Sequence, residues 1–509
     1  GGPRGIQDSP SRWMLVPSTI PAMEEKPERL ARIVRQLGSS ATSGFLQGRE
    51  AVAVAANSRA TILLDQGYLT TAYPEVITKG GRGSGITLTY AEALWKDGRK
   101  GNRNETDGKE IVGYQDQFIT DGGEQRLFRP LWWRTYRYLQ LDVETGSEAL
   151  VIEDLRATFT AYPLTMRAGF ESSDPELRRI WDVGWRTARL CAHETYMDCP
   201  YYEQLQYGGD TRIQALVSLY VSGDDRLVKN AIELLDESRT PEGLTQSRYP
   251  SFLPQYIPPF SLLWIGMMHD LWWYRGETDF LRGYLQGMRG VLAWFESRLS
   301  SSGLLGPLEW WNFVDWTKDF RSGVPPQEAG GQSSILSLQF SGALREAAEL
   351  ETALGSPELA ARYRNLARKI SLAVRGLCWD GSRRLLADTP SRTRFSQHAS
   401  ILGVLEGAVP EGEERGVMKN VLSDPTLTPC SFYFRFYLFR ALRQAGLGEE
   451  YLRQLEPWRQ MLSIGLSTWA ETPEPTRSDC HAWSAHPNFD LLATVAGIEP
   501  SAPGFREVA

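Results

Sequence analysis

The sequence predicts two units in tandem, an N-terminal antiparallel β-sandwich over residues 1–167 and an (α/α)6 barrel over 168–498. Three observations predict it. Apolar residues alternate with period two as far as about Arg167, as half-buried strands require. Near residue 170 the period changes to 3.6 and holds to about residue 496. About twelve helical segments then follow without a sequence repeat, a pattern that fits paired helices in a ring better than a four-helix bundle or a solenoid.

In the first unit, Gly85-Ile86-Thr87-Leu88-Thr89-Tyr90 alternates cleanly, and Ala60–Asp65, Trp132–Val143 and Ala149–Phe159 carry strand-favouring residues. Turn-forming clusters such as Asp121-Gly122-Gly123 and 96–105 separate them. One helix is expected inside the sandwich, over Lys26–Arg35, and Gly1-Gly2-Pro3 reads as a cut end, with the N-terminal edge incomplete. Ser173-Asp174-Pro175-Glu176 opens the second unit as a helix start, with Ser173 at capping-box spacing from Glu176. Helices are expected at 176–197, 211–222, 224–237, 259–275, 278–299, 332–354, 356–376, 396–407, 411–422, 431–445, 448–462 and 481–496. Four joints, 198–210, 238–258, 300–331 and 463–480, are long and rich in aromatics and proline, the kind of loop that carries function. Residues 499–509 read as a linker towards a further C-terminal β domain.

Composition narrows the function. A net charge of −7 leaves no basic footprint for nucleic acid. No apolar run reaches the roughly eighteen residues that span a bilayer, and no signal peptide opens the chain. The five cysteines are scattered without a CxxC pair, so free thiols are expected rather than a disulfide frame or zinc. The aromatic load is unusual, with 17 Trp, 20 Tyr and 19 Phe, which suits both a bulky core and walls that stack on sugar rings.

Glycosidic hydrolysis needs two carboxyls, and the long loops supply them. Loop 198–210 offers Asp198, Glu203 and Asp210; loop 300–331 offers Glu309 and Asp315 among tryptophans; loop 463–480 offers Glu471, with His481 and His486 soon after. Each acid has a plainer reading: Asp210 as the N-cap of helix 211–222, Asp198 as the closure of a turn before Pro200. Aromatic neighbours would push a carboxyl's pKa upward, as a proton donor needs. The histidines lack ligand spacing, and GxSxG, P-loop and dinucleotide motifs are missing. No metal and no cofactor are therefore expected.

The stretch Asp198-Cys199-Pro200-Tyr201-Tyr202-Glu203-Gln204-Leu205-Gln206-Tyr207-Gly208-Gly209-Asp210 resembles the signature block of the bacterial α-L-rhamnosidases of glycoside hydrolase family 78. Many members carry Gln-Arg where this chain has Tyr201-Tyr202, and Trp where it has Tyr207. The resemblance implies an inverting exo-hydrolase of terminal α-L-rhamnosides, with Glu203 as general acid and Glu471 as general base. It also implies that Asp198, Asp210 and His481 contact the sugar, and more loosely that Trp311, Asp315 and Trp316 line the pocket beside Tyr207. The implied partner is a rhamnose-containing glycoside, oligosaccharide or polysaccharide, with neither nucleic acid nor membrane. A homodimer stays open, as does the choice between periplasm and cytoplasm of a bacterium. The alternatives are another inverting exo-glycosidase or a polysaccharide lyase on the same barrel, or a non-catalytic carbohydrate-binding relative.

Overall fold

The computed structural model describes residues 17–508. The expected incomplete N-terminal edge rests on residues that lie outside the described ones. An antiparallel sheet domain comes first: β1 Glu24–Glu28, β2 Arg32–Leu37, β3 Val52–Val54, β4 Arg59–Gly80, β5 Gly85–Ala91, β6 Tyr114–Ile119, β7 Arg126–Phe128, β8 Arg134–Glu144 and β9 Leu150–Ala161. The long β4 organises it. Its first half pairs with β2 and β8, and its second half pairs with β9 and β7. The register shifts between Asp65 and Thr70, where Gly67 takes φ 87°, a conformation open to glycine. Residues on both halves, among them Ile62, Leu64, Ala72 and Val76, share one core with Leu88, Leu141 and Ile152.

Lys26–Arg35 is not a helix. Its residues form β1 on β9 and β2 on β4, with Pro27 inside β1. Strand pairing with β9 and β4 outweighs the helix propensity of the segment.

The helical domain runs through α1 Pro175–Leu190, α2 Gly208–Val217, α3 Arg226–Glu237, α4 Pro258–Arg275, α5 Leu285–Glu296, α6 Ser334–Leu354, α7 Pro357–Cys378, α8 Gln397–Leu405, α9 Glu414–Ser423, α10 Phe432–Gln444 and α11 Glu456–Ser463. Two kinds alternate. In α1 and α3 the buried residues form a single stripe, Leu227, Val228, Ala231, Ile232 and Leu235 in α3, and the other face is solvated. In α2, α4, α8 and α10 nearly every residue is buried, as in helices covered on all sides. The turns Ala482–Ala485 and Pro487–Asp490 pack back onto α1 and α2. Among the described residues no helix is long and apolar enough to cross a membrane.

Several expected helices are shorter or broken. Asp174, not Ser173, caps α1 by accepting the Glu176 N–H at 2.9 Å, and α1 ends at Leu190. The segment 481–496 splits into turns around Pro487, which starts a new helical run. Residues 500–508 form a small hairpin, with Phe505 against Tyr220 and Tyr274.

Candidate active site

The loop after α1 is shaped by its own first acid. Asp198 donates its N–H to the Leu205 carbonyl (2.9 Å), and its Oδ1 accepts the Leu205 N–H (3.0 Å). Its Oδ2 accepts the Cys199 thiol at 2.9 Å. These bonds close the loop and project Glu203. Asp198 thus does close a turn, and it lines a cavity as well.

The structure overturns the capping reading of Asp210. Helix α2 begins three residues earlier than expected, at Gly208, with Tyr207 in the capping position, so Asp210 lies inside the first turn. Its carboxylate is free to meet His481 Nε2 at 3.0 Å. Gly209 lets α2 start against its neighbour: a Cβ there would stand 2.6 Å from the Phe260 ring.

Glu471 comes from the opposite side. Its N–H donates to the Ser478 carbonyl (3.1 Å), and its own carbonyl accepts Trp483 Nε1–H (2.9 Å). The resulting tight loop returns Arg477 alongside Glu471. Arg477 Nε donates to Glu471 Oε2 at 3.3 Å, and Nη2 donates to Glu203 Oε1 at 2.6 Å. One planar guanidinium touches both carboxylates, which caps the separation of those two oxygens at about 8 Å.

These side chains converge on a cavity of about 440 Å³. Asp198, Glu203, Asp210, Glu471, Arg477 and His481 supply its polar atoms. Tyr207, Phe260, Trp311, Phe313, Trp316 and Trp483 supply aromatic walls, with Phe313 5.0 Å from Trp316 and 5.3 Å from Trp311 between ring centres. Of the nine residues singled out from the sequence, eight line this cavity. Asp315 does not: it is fully buried behind the wall, accepting from Ser431 N–H (2.9 Å) and meeting His398 Nε2 (2.7 Å). Glu309 points away to Arg298, and His486 is buried against Asp490 and Phe432. Tyr201 and Tyr202 are also absent from the cavity wall. Tyr201 donates to the Tyr90 carbonyl of β5 (2.9 Å), and the Tyr202 ring lies under Arg477.

Burial pushes Glu203 upward, but the hydrogen bond and charge of Arg477, aided by Tyr207 and His481, hold it below the usual carboxylate value. The expectation that aromatic surroundings keep Glu203 protonated is therefore reversed in the free protein. Asp198 is pushed up to about 7 by burial and by the charges of Glu203 and Asp210, against the pull of His481. Burial also raises Asp210. Burial would lower His481, yet the Asp210 bond and the charges of Glu471 and Asp198 raise it to about 9, so it is a cation at neutral pH. Asp198, Cys199 and His481 place one potential ligand atom each within 4.8 Å of one another. Burial keeps the Cys199 thiol protonated and donating to Asp198, while His481 is bonded to Asp210.

The arrangement presents two carboxylates joined through one arginine, two further buried acids and a wall of aromatic rings, groups that can hold a sugar and carry out acid–base hydrolysis. Arg477, Phe260, Phe313 and Trp483 were not picked from the sequence. Phe313 and Trp483 lie within three residues of ones that were, whereas nothing local marks Arg477 or Phe260.

The family model described as bacterial alpha-L-rhamnosidase 6 hairpin glycosidase domain matches residues 165–427, and that described as bacterial alpha-L-rhamnosidase concanavalin-like domain matches residues 56–160. A search of curated proteins finds no match. Among solved structures, the GH78 rhamnosidase of Bacillus sp. GL1 superposes with a TM-score of 0.83 at 22 % identity, over 92 % of this chain and 50 % of that one. A Klebsiella oxytoca rhamnosidase with rhamnose bound gives 0.78 at 19 % identity, over 94 % and 97 %. The Streptomyces avermitilis α-L-rhamnosidase in complex with L-rhamnose gives 0.76 at 18 % identity, over 97 % and 46 %. This chain thus spans about half the length of the Bacillus protein. The helical-domain match alone takes in more than half of the sequence, and the chain belongs to the bacterial α-L-rhamnosidases of glycoside hydrolase family 78.

Proposed function

We propose that the chain hydrolyses terminal α-L-rhamnosides by an inverting mechanism, with Glu203 as general acid and Glu471 as general base. The observation that carries this reading is the meeting of two glutamates, distant in sequence, on one aromatic-walled cavity where a single arginine touches both. Glu203 would protonate the glycosidic oxygen while Glu471 deprotonates water attacking the opposite face of the anomeric carbon. Asp198, Asp210 and the cationic His481 would hold the sugar hydroxyls, and Trp311 and Trp316 its apolar face. Alternating exposed-face and fully covered helices, with the last turns packed on the first helices, support six helical hairpins closing as an (α/α)6 barrel from about residue 168.

Glu203→Gln and Glu471→Gln should each lower kcat on an aryl α-L-rhamnoside by about 10²–10⁴-fold. Near-native turnover in either variant refutes that residue's role. Proton NMR of the first sugar released should show the β anomer; the α anomer would refute inversion. One observation favours a second proton donor: Asp198 is the cavity carboxyl held near neutrality in pKa, while Glu203 is ionised beside Arg477. In that case Asp198→Asn, rather than Glu203→Gln, would lose the alkaline limb of the pH profile.

A further inference from the structure

The reacting carbon of a bound glycoside must sit between the acid and the base. In the free protein that gap is spanned by Arg477, which donates to Glu471 from Nε and to Glu203 from Nη2. Substrate and guanidinium compete for the same space, so binding a sugar moves the arginine. Arg477 is placed to move. Its side chain is about half exposed (47 %) at the cavity rim, and its loop neighbours Thr472 and Pro475 line the same rim. Its Nη1 makes no hydrogen bond among the described residues, so one arm of the fork is uncommitted.

Leaving two carboxylates is costly for a guanidinium, because both contacts are charge-assisted. A neutral leaving group returns nothing for them. A leaving group with its own carboxylate replaces them with a planar, bidentate partner of the same chemistry. A second cation backs the cavity wall: Arg248 Nη1 donates to the hydroxyl of the lining residue Tyr207 at 2.7 Å, and Arg248 forms no ion pair among the described residues.

We propose that Arg477 is a specificity residue for the leaving group, displaced by the bound sugar onto a carboxylate of the adjoining residue, so that the preferred substrates are α-L-rhamnosides of uronic acids. The assignment rests on the hydrolysis proposed above and deepens it. It also explains how Glu203 becomes a donor. Glu203 is faced by Arg477, Tyr207, His481, Asp198 and Asp210, and Arg477 is the chief group that keeps it ionised. Transfer of Arg477 to the leaving group's carboxylate lets burial raise Glu203 into its proton-donating form. An acidic substrate thus arms the acid that cleaves it.

The test compares α-L-rhamnosyl-(1→4)-D-glucuronic acid with its methyl ester, which keeps the linkage and removes the charge. The native protein should favour the acid in kcat/KM by about tenfold or more, as one charge-assisted contact implies. Arg477→Gln should abolish that preference, and Arg477→Lys should keep part of it, as a charge without the fork. In Arg477→Gln the alkaline limb of kcat/KM should also move to higher pH, a shift that a merely structural arginine would not produce. Equal use of acid and ester by the native protein overturns the inference. So does an equal loss on both compounds in Arg477→Gln with the preference intact. If Arg477→Gln does not fold, the acid-to-ester ratio of Arg477→Lys decides. Hydrolysis of an aryl α-L-rhamnoside without acid preference leaves the hydrolase standing and removes only the role of Arg477, whereas no hydrolysis of the aryl rhamnoside removes both.

Discussion

His481 shows how much a single side chain depends on its company. Alone, a buried histidine loses its proton; His193, stacked at 4.0 Å on Trp133 and packed in the same molecule, is pushed down to about 3 by burial. His481 is equally buried, yet Asp210 at 3.0 Å and the charges of Glu471 and Asp198 raise it to about 9. The folded pKa lies above the ordinary value of 6.5, so folding takes up a proton. The stabilisation is therefore complete below about pH 6.5 and fades as pH rises through about 9. Thermal unfolding of native protein and His481→Asn should differ most near about pH 6 and converge above about pH 9.5. A difference independent of pH would contradict the ion pair.

At the scale of elements, the start of α2 decides where Asp210 and Phe260 stand. Gly208 and Gly209 are adjacent and alike in sequence, but their surroundings differ. A Cβ on Gly208 meets nothing nearer than 3.4 Å, while one on Gly209 meets the Phe260 ring at 2.6 Å. Exchanging a helical glycine for alanine ordinarily stabilises by about 0.5–1 kcal/mol. Gly208→Ala should be neutral or mildly stabilising. Gly209→Ala should cost about 1–3 kcal/mol, the range of overpacking, and should lower kcat/KM because Phe260 is a cavity wall. Melting temperatures and kinetics of the two variants side by side check this, and equal behaviour would refute it.

At the scale of the molecule, the sheet domain holds both acid-bearing segments of its neighbour. Thr135 Oγ1 donates to the Pro200 carbonyl (2.6 Å), and Trp132 Nε1 donates to Gln204 Oε1 (3.0 Å), which grips the loop of Glu203. Leu69 N–H donates to Ser467 Oγ (2.9 Å), and Arg137 Nη1 donates to the Gly465 carbonyl (3.1 Å), which grips the segment of Glu471. The strongest tie is buried. Asp479 accepts from Lys100 Nζ (3.0 Å) and from Arg103 Nη2 (2.8 Å), both of which come from the loop after β5. The side chains are 2 %, 2 % and 5 % exposed for Lys100, Arg103 and Asp479, so the charges depend on one another. Asp479→Ala leaves Lys100 with only the long contact to Glu92 (3.5 Å) and Arg103 with only the part-exposed Glu474, and should cost up to about 3–5 kcal/mol. It should also lower kcat, since Glu471 and His481 flank Asp479 in the chain. Chemical denaturation and steady-state kinetics measure both, and unchanged stability would show that the cluster does not join the domains.

The sequence by itself determined the change of period near residue 170, the sheet-then-helix order, the acids of the 198–210 loop, and Glu471 with His481. It could do so because strand alternation, helical periodicity and a clustered motif are local patterns, readable one window at a time. Tertiary structure alone decided the rest. Lys26–Arg35 has helical propensity, but pairing with β9 and β4 makes it two strands. Asp315 sits in an aromatic motif that looks like pocket wall, yet His398 and Ser431 claim its carboxylate behind that wall. Tyr201 departs from the family block within the acid loop, yet its hydroxyl is spent on Tyr90 at the domain junction. Above all, the charge state of Glu203 is set by Arg477, 274 residues away. A pKa belongs to the space around a carboxyl rather than to its place in the chain.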